Sequence, residues 1–409
     1  MKKWILGGLA VIAAATGVGY ATLDDDQRAL LANLPTDRNV LFWSVEQRDA
    51  AFRAMDALPV LAETRTIEAG GDPYPLPEGL PLEMDFDLDA YFASQRTSAL
   101  VILHDGKIVL ERYGLGFDKD GKWTSFSVAK SLTSTMVGAA LQDGAIESID
   151  DPVTKYIVGL EGSPYEDVSI KQLLTMTSGV RWNEDYTDPQ SDVAQFNDHR
   201  AENGLDVTVS YMRQLPREAP AGEKWVYKTG ETNLIGVLVS EATGKPLAEY
   251  LSEKIWKPFG MQQDATWLLG ATGHEISGCC IQAATRDMAR FGLFVLQDGV
   301  AGGERVVPRG WFAEATVKSA DIGAPGKGYG YQWWTYDDGA YAAQGIFGQG
   351  IFIDPARKLV IASNSNWPTA TDADGVGAER ERFYQAVRDA VDRRAGPIME
   401  ARAGADAAE

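Results

Sequence analysis

The apolar positions change period along the chain, and each change marks a predicted element. An uncharged run from Trp4 to Ala21 comes first. Residues 22–74 hold no sustained period and run into a Pro- and Gly-rich stretch at 70–79, which predicts an irregular N-terminal segment, a pro-region or a wrap around the domain surface. "DLDAYFASQ" (87–95) has helical spacing. "SALVILHDGKIVLERYG" (98–114) reads as two β-rich runs joined by His104-Asp105-Gly106-Lys107, a hairpin signal. From Ser127 to Gln142 the period turns helical, with Leu132, Met136, Ala139 and Ala140 on one face and Gly144 as the stop.

Residues 150–260 alternate helical patches with turn signals, and "RDMARFGLFVLQDG" from Arg286 is another apolar-faced helix. Strands return in "YGYQWWTY", "GQGIFIDP" and "KLVIASNS", and a helix at about 377–393 precedes a flexible tail, 396–409. Strands therefore lie at both ends of the domain and helices in the middle. The pattern predicts an α+β fold: one antiparallel sheet built from both ends and flanked by helices, with a mostly helical lobe (about 127–265) inserted. A cleft between two such parts suits a small-molecule site.

Composition narrows the function. The chain has 409 residues, 45% apolar and 23% charged, and a net charge of −20. That charge argues against nucleic acid or another polyanion as partner. Lys2 and Lys3 precede the uncharged run and three aspartates, Asp24–Asp26, follow it. This order predicts a signal peptide or membrane anchor at 1–21, with the remainder exported to the periplasm or facing it from the inner membrane. Membrane contact is then confined to that segment, if it is retained. The two cysteines, Cys279 and Cys280, are adjacent, so no disulfide staples a long loop, and no nearby ligand completes a zinc site.

The chemistry begins at "SFSVAKS" (125–131). If a helix starts there, Lys130 falls on the face of Ser127 one turn later. Burial would lower the lysine pKa and make it a base, and the helix N-terminus offers free backbone N–H groups to an oxyanion. Taken alone the pair is a weak signal. Other machines are missing: there is no G-x-S-x-G elbow, H-E-x-x-H, P-loop or G-x-G-x-x-G, and none of His104, His199 and His274 lies in a recognisable motif.

The motifs in order resemble those of the penicillin-recognising serine hydrolases, which include class C β-lactamases, D-alanyl-D-alanine peptidases and related esterases. "SVAKS" resembles their S-x-x-K. "IDDPVTKYI" (149–157) resembles the segment after the first helix. "SIKQLLTMTSGV" (169–180) is similar to their L-L-x-H-T-S-G element, with Met176 where a histidine is usual. "PAGEKWVYKTGETNLIGVLVSEATGKPLAEYLSEKIWKPFGM" (220–261) resembles the stretch carrying Y-x-N or Y-x-S. The resemblance covers about 75–395. It implies Tyr227 as a third catalytic group beside Ser127 and Lys130, and it puts Thr229 in the place of the usual Ser or Asn. In the third motif, Gln344-Gly345-Ile346 stands where Lys-Thr-Gly or His-Thr-Gly is usual. The cation for a substrate carboxylate is missing there, and the Ile346 N–H is the implied second oxyanion donor beside that of Ser127.

"RWNEDYTDPQSD" (181–192) and Trp333-Trp334 are most similar to the 6-aminohexanoate-dimer hydrolase and carboxylesterase branch, which implies that Tyr186 and Trp334 either line the substrate pocket or pack the two lobes together, while Thr229 and Gly345 are substrate-binding candidates from their places in the second and third motifs. The expectation is an acyl-enzyme serine hydrolase of small esters or linear amides, with no cofactor and no metal. Two alternatives stand beside it. One is a penicillin-binding protein, β-lactamase or D-Ala-D-Ala peptidase, marked by rapid turnover of a β-lactam. The other is a catalytically silent binding or sensor module, marked by an unreactive Ser127.

Overall fold

The computed structural model describes residues 24–58, 63–202, 204–373 and 375–406. The leader read at 1–21 lies outside these residues. Within them, no helix is long and apolar enough to cross a membrane.

The hairpin forms where its turn chemistry puts it. Strands Thr97–His104 and Lys107–Tyr113 pair antiparallel around Asp105 and Gly106, whose φ angles are 49° and 75°. Asp and Gly tolerate this left-handed conformation, and the turn's twist matches that of the strands. The hairpin starts a seven-stranded sheet. Its order is Lys107–Tyr113, Thr97–His104, Leu359–Ser365, Gly350–Asp354, Tyr341–Gln344, Trp334–Tyr336 and Lys327–Tyr329, antiparallel throughout. The two ends of the domain thus meet in one sheet, as the pattern predicts.

Both sheet faces are covered, which explains the unbroken apolar run in "ALVIL". Leu100 and Ile102 pack with Tyr91, Phe383 and Tyr384 from two helices on one side. Val101 and Leu103 face the main core, shared with Met288 and Phe291 of helix Thr285–Leu296. The inserted lobe centres on helix Ala129–Gln142, buried from Ala129 through Ala140 and packed on helix Thr229–Thr243. On the latter helix Gly236 lets the loop at Ser277 come close, since a Cβ at that position would lie 1.6 Å from Ser277 Oγ.

Three features differ from the pattern. The segment expected to be irregular, 22–74, contains helices Asp25–Ala32 and Val45–Ala51, single helical turns Val40–Phe42 and Met55–Ala57, and strand Thr64–Ile67. Both helices start with a capping box, Asp24 with Gln27 and Ser44 with Gln47. That local signal was readable in the sequence, whereas helices this short are poorly marked by period. A second, four-stranded sheet joins Thr64–Ile67, Ala265–Leu268, Ile281–Ala283 and Trp123–Thr124. These strands are two to four residues long, too short for alternation to register. Finally, the last helix runs Val376–Asp406, over most of the stretch expected as a tail.

Candidate active site

Strand Trp123–Thr124 delivers the chain to Ser127. The Thr124 N–H donates to the Phe52 carbonyl at 2.9 Å and the Ser125 N–H to the Ile281 carbonyl at 2.8 Å. A tight turn, Phe126–Val128, then leads into helix Ala129–Gln142. Ser127 sits at this entry, 9% exposed, so the turn places its Oγ at the edge of the core.

Lys130, 1% exposed, follows on the same face with Nζ 3.1 Å from Ser127 Oγ. It also donates to Thr229 Oγ1 at 2.9 Å and to the Gly278 carbonyl at 2.8 Å. Burial outweighs the pull of the Glu184 carboxylate and lowers the Lys130 pKa to about 8. Tyr227 completes the group: its ring centroid lies 5.1 Å from Lys130 Nζ, and its hydroxyl is close enough to Ser127 to feel its influence. Burial and Glu184 both raise the Tyr227 pKa well above the ordinary phenol range, and the nearby Ser127 hydroxyl opposes them. The favoured arrangement therefore keeps the proton on Tyr227 and eases its loss from Lys130.

Tyr227 is wedged among aromatics. It stacks on Trp334 at 5.4 Å and meets Tyr329 edge-on at 6.0 Å. Met176, in the usual histidine position, belongs to this cluster, and its Sδ accepts the Lys228 N–H at 3.3 Å. The next residues form a buried brace. Lys228 Nζ lies 3.6 Å from Glu231 Oε1, both side chains are fully buried, and Ser178 and Tyr165 also donate to that carboxylate. Burial raises the Glu231 pKa while Lys228 draws it back. Removing one partner strands a charge in the core, so Lys228→Ala is expected to lower unfolding free energy by about 3–5 kcal/mol. Urea unfolding measures it.

Glu184 is the residue that sequence reasoning missed. Its carboxylate accepts from the Thr229 N–H at 2.9 Å, the Tyr186 hydroxyl at 2.9 Å, the Thr229 hydroxyl and the Trp182 indole. Thr229 begins a helix, and a carboxylate is favoured at that N-terminus. Thr229 thus links Glu184 to Lys130. Glu184 lies inside the quoted loop 181–192, yet no spacing rule marks it. Nor does spacing reveal the Gly278 carbonyl, whose own N–H is held by Asn233 Oδ1 at 2.7 Å.

Gly345 packs against the Ser127 turn. A Cβ there would meet the Ser125 carbonyl at 2.8 Å and the Ser127 nitrogen at 3.2 Å, so the strand end comes in as close as a glycine allows. Gln344 is neutral and engaged, donating to the Tyr336 hydroxyl at 3.1 Å and accepting from Arg380 at 3.0 Å. Ser127, Tyr186, Thr229 and Ile346 line one cavity of about 410 Å³. Trp334 borders the group through its stack on Tyr227. The cavity wall also includes Cys279 and Cys280, joined as a vicinal disulfide, and Arg38–Phe42 and Met55 of the N-terminal segment. Of the histidines, His199 and His274 line the cavity but pair with Ser210 and Asp206, at 2.9 and 3.0 Å. Among the described residues, no group of three or more His, Cys, Asp and Glu is arranged to hold a metal.

This geometry agrees with similarity to known proteins. The beta-lactamase family matches residues 88–386. The 6-aminohexanoate-dimer hydrolase of Paenarthrobacter ureafaciens is 32% identical over 299 residues, 69% of this chain and 76% of that protein. A Bacillus anthracis protein, provisionally titled a 6-aminohexanoate-dimer hydrolase, superposes with a TM-score of 0.75 over 85% of this chain and 95% of its own, at 23% identity. A family VIII carboxylesterase superposes with a TM-score of 0.58 over 75% and 96%, at 18% identity. The two superpositions support the fold, and the family match with the first relative settles membership: the chain belongs to the beta-lactamase family of serine hydrolases.

Proposed function

We propose that this hydrolase works through an acyl-enzyme on Ser127 and acts on small esters or linear amides. The observation that carries the reading is the contact of Ser127 Oγ with a desolvated Lys130, at 3.1 Å, beside Tyr227, whose ring centroid lies 5.1 Å from the same Nζ. Lys130 takes the Ser127 proton as Oγ attacks the carbonyl carbon. The oxyanion lies between the backbone N–H groups of Ser127 and Ile346. Tyr227 gives its proton to the leaving alcohol or amine and recovers one from Lys130. Water then follows the same route to release the acid. Tyr186, Thr229, Trp334 and Gly345 border the substrate.

Intact-protein mass spectrometry after mixing with p-nitrophenyl butyrate or a penicillin tests the reading. An acyl adduct on Ser127 from the ester supports it. A lasting adduct from penicillin alone transfers the site to the penicillin-binding alternative. The neutral, engaged Gln344 weighs against that alternative, because it brings no cation to a substrate carboxylate. No adduct from either reagent favours the silent module. We also place the enzyme outside the cytoplasm. The charge order of 1–26 and the Cys279–Cys280 disulfide, which suits an oxidising compartment, support this.

Two predictions follow from the geometry. Lys130 is a base only when neutral, so kcat/KM for a neutral ester should rise tenfold per pH unit and level off above about 8. A pH–rate profile reads the limb, and a flat profile through that region removes Lys130 as the base. Gly345→Ala should force the Ser127 and Ile346 turns apart, lower kcat by about 10²-fold and also lower the melting temperature, because the clash is with backbone.

A further inference from the structure

Two bulky residues flank the candidate oxyanion donors in a conformation that side chains avoid. Phe126, just before Ser127, has φ 41°, and Phe347, just after Ile346, has φ 62°. Such positions persist only where the surroundings hold them. The same side chain holds both. Phe52, fully buried, packs 4.9 Å from the Phe126 ring and 5.5 Å from the Phe347 ring. Arg48 covers Phe347 with its guanidinium 4.4 Å from the ring centroid. That guanidinium is itself fixed by Asn366 Oδ1 at 2.8 Å and by the carbonyls of Trp43, Trp367 and Pro368 at 2.8, 2.9 and 2.9 Å.

Phe52 and Arg48 lie outside the family match, which begins at 88. So do Val40, Leu41, Phe42 and Met55, which line the cavity together with residues of the family match. Phe42 is 48% exposed and its side chain belongs to the cavity lining, so an apolar group entering the cavity can cover it.

We propose that residues 38–58 are a working part of the active site. Phe52 and Arg48 are positioning residues for the two turns that carry the oxyanion donors. Val40–Phe42 with Met55 form the outer wall for an apolar part of the substrate, so the site favours a medium-length acyl chain over acetyl. This rests on the acyl-enzyme reading above and adds to it where the specificity comes from.

Two sets of variants of the full chain test it. Phe52→Ala is expected to lower kcat by about 10²-fold, as small misplacements at a reacting centre do, while KM changes less than about threefold. Affinity for phenylboronic acid, which mimics the tetrahedral oxyanion state, should fall with kcat, and Phe52→Leu should restore most of both. A purely structural role would lower the melting temperature and leave kcat and boronate affinity of the folded enzyme in place, overturning the positioning claim. Phe42→Ala and Leu41→Ala address the wall and serve also if Phe52→Ala does not fold. The ratio of kcat/KM for p-nitrophenyl hexanoate to that for the acetate should drop about fivefold or more in each, the worth of roughly one or two buried methylenes. An unchanged ratio overturns the wall. If the wild-type enzyme itself neither cleaves these esters nor forms a Ser127 adduct, the acyl-enzyme reading has failed instead, a result distinct from either.

Discussion

Ser127→Ala is expected to remove the acyl adduct and to lower kcat/KM for p-nitrophenyl esters by at least about 10⁴-fold. Losses of this size follow removal of a nucleophile, because the general base then has no proton to take. What survives is the modest acceleration from oxyanion donors and binding alone. The variant should fold normally. Ser127 is a small side chain at the rim of the core, and Lys130 keeps its bonds to Thr229 and to the Gly278 carbonyl. Equal melting temperatures with lost turnover would assign the effect to chemistry. A variant that kept its adduct would move the nucleophile elsewhere and sink the mechanism.

Tyr227→Phe carries the second large effect, about 10²–10⁴-fold for substrates whose leaving group needs a proton. The ring can stay where it is. Its stack on Trp334 and its edge contact with Tyr329 do not use the hydroxyl. The informative comparison is between leaving groups. p-Nitrophenolate departs as an anion, whereas an alkoxide or amine must be protonated. The loss should therefore be at least about tenfold greater for an alkyl ester or an amide than for a p-nitrophenyl ester. Equal losses would show that the Tyr227 proton serves the attack and not departure. The raised Tyr227 pKa and lowered Lys130 pKa already favour this division of labour, with lysine as base and tyrosine as donor.

Legibility in the sequence followed the reach of each signal. The Asp105-Gly106 turn, the helix after Ser127 and the burial of Leu132, Met136, Ala139 and Ala140 were all readable, because each depends on neighbours within a few residues. The short strands Trp123–Thr124 and Ile281–Ala283 were not, since a few residues give no period. The helices at Asp25 and Ser44 were legible in principle through their capping boxes, though each is too short for its apolar period to register.

The site divides in the same way. By itself the Ser127–Lys130 spacing was a weak signal, and only the ordered motifs around it raised the pair to a candidate, which the turn Phe126–Val128 and the helix from Ala129 then bring together. The sequence determined the family through ordered motifs, and through them the candidacy of Tyr227 and Ile346. Only the tertiary structure decided what surrounds them. Glu184 meets Thr229 from 45 positions away and Thr229 meets Lys130 from 99. The Gly278 carbonyl, the disulfide wall and the Phe52 buttress arrive from still other parts of the chain. The physical reason is that a desolvated lysine and a held oxyanion turn are properties of enclosure. Enclosure is made by side chains that the sequence keeps far apart and that folding alone brings together.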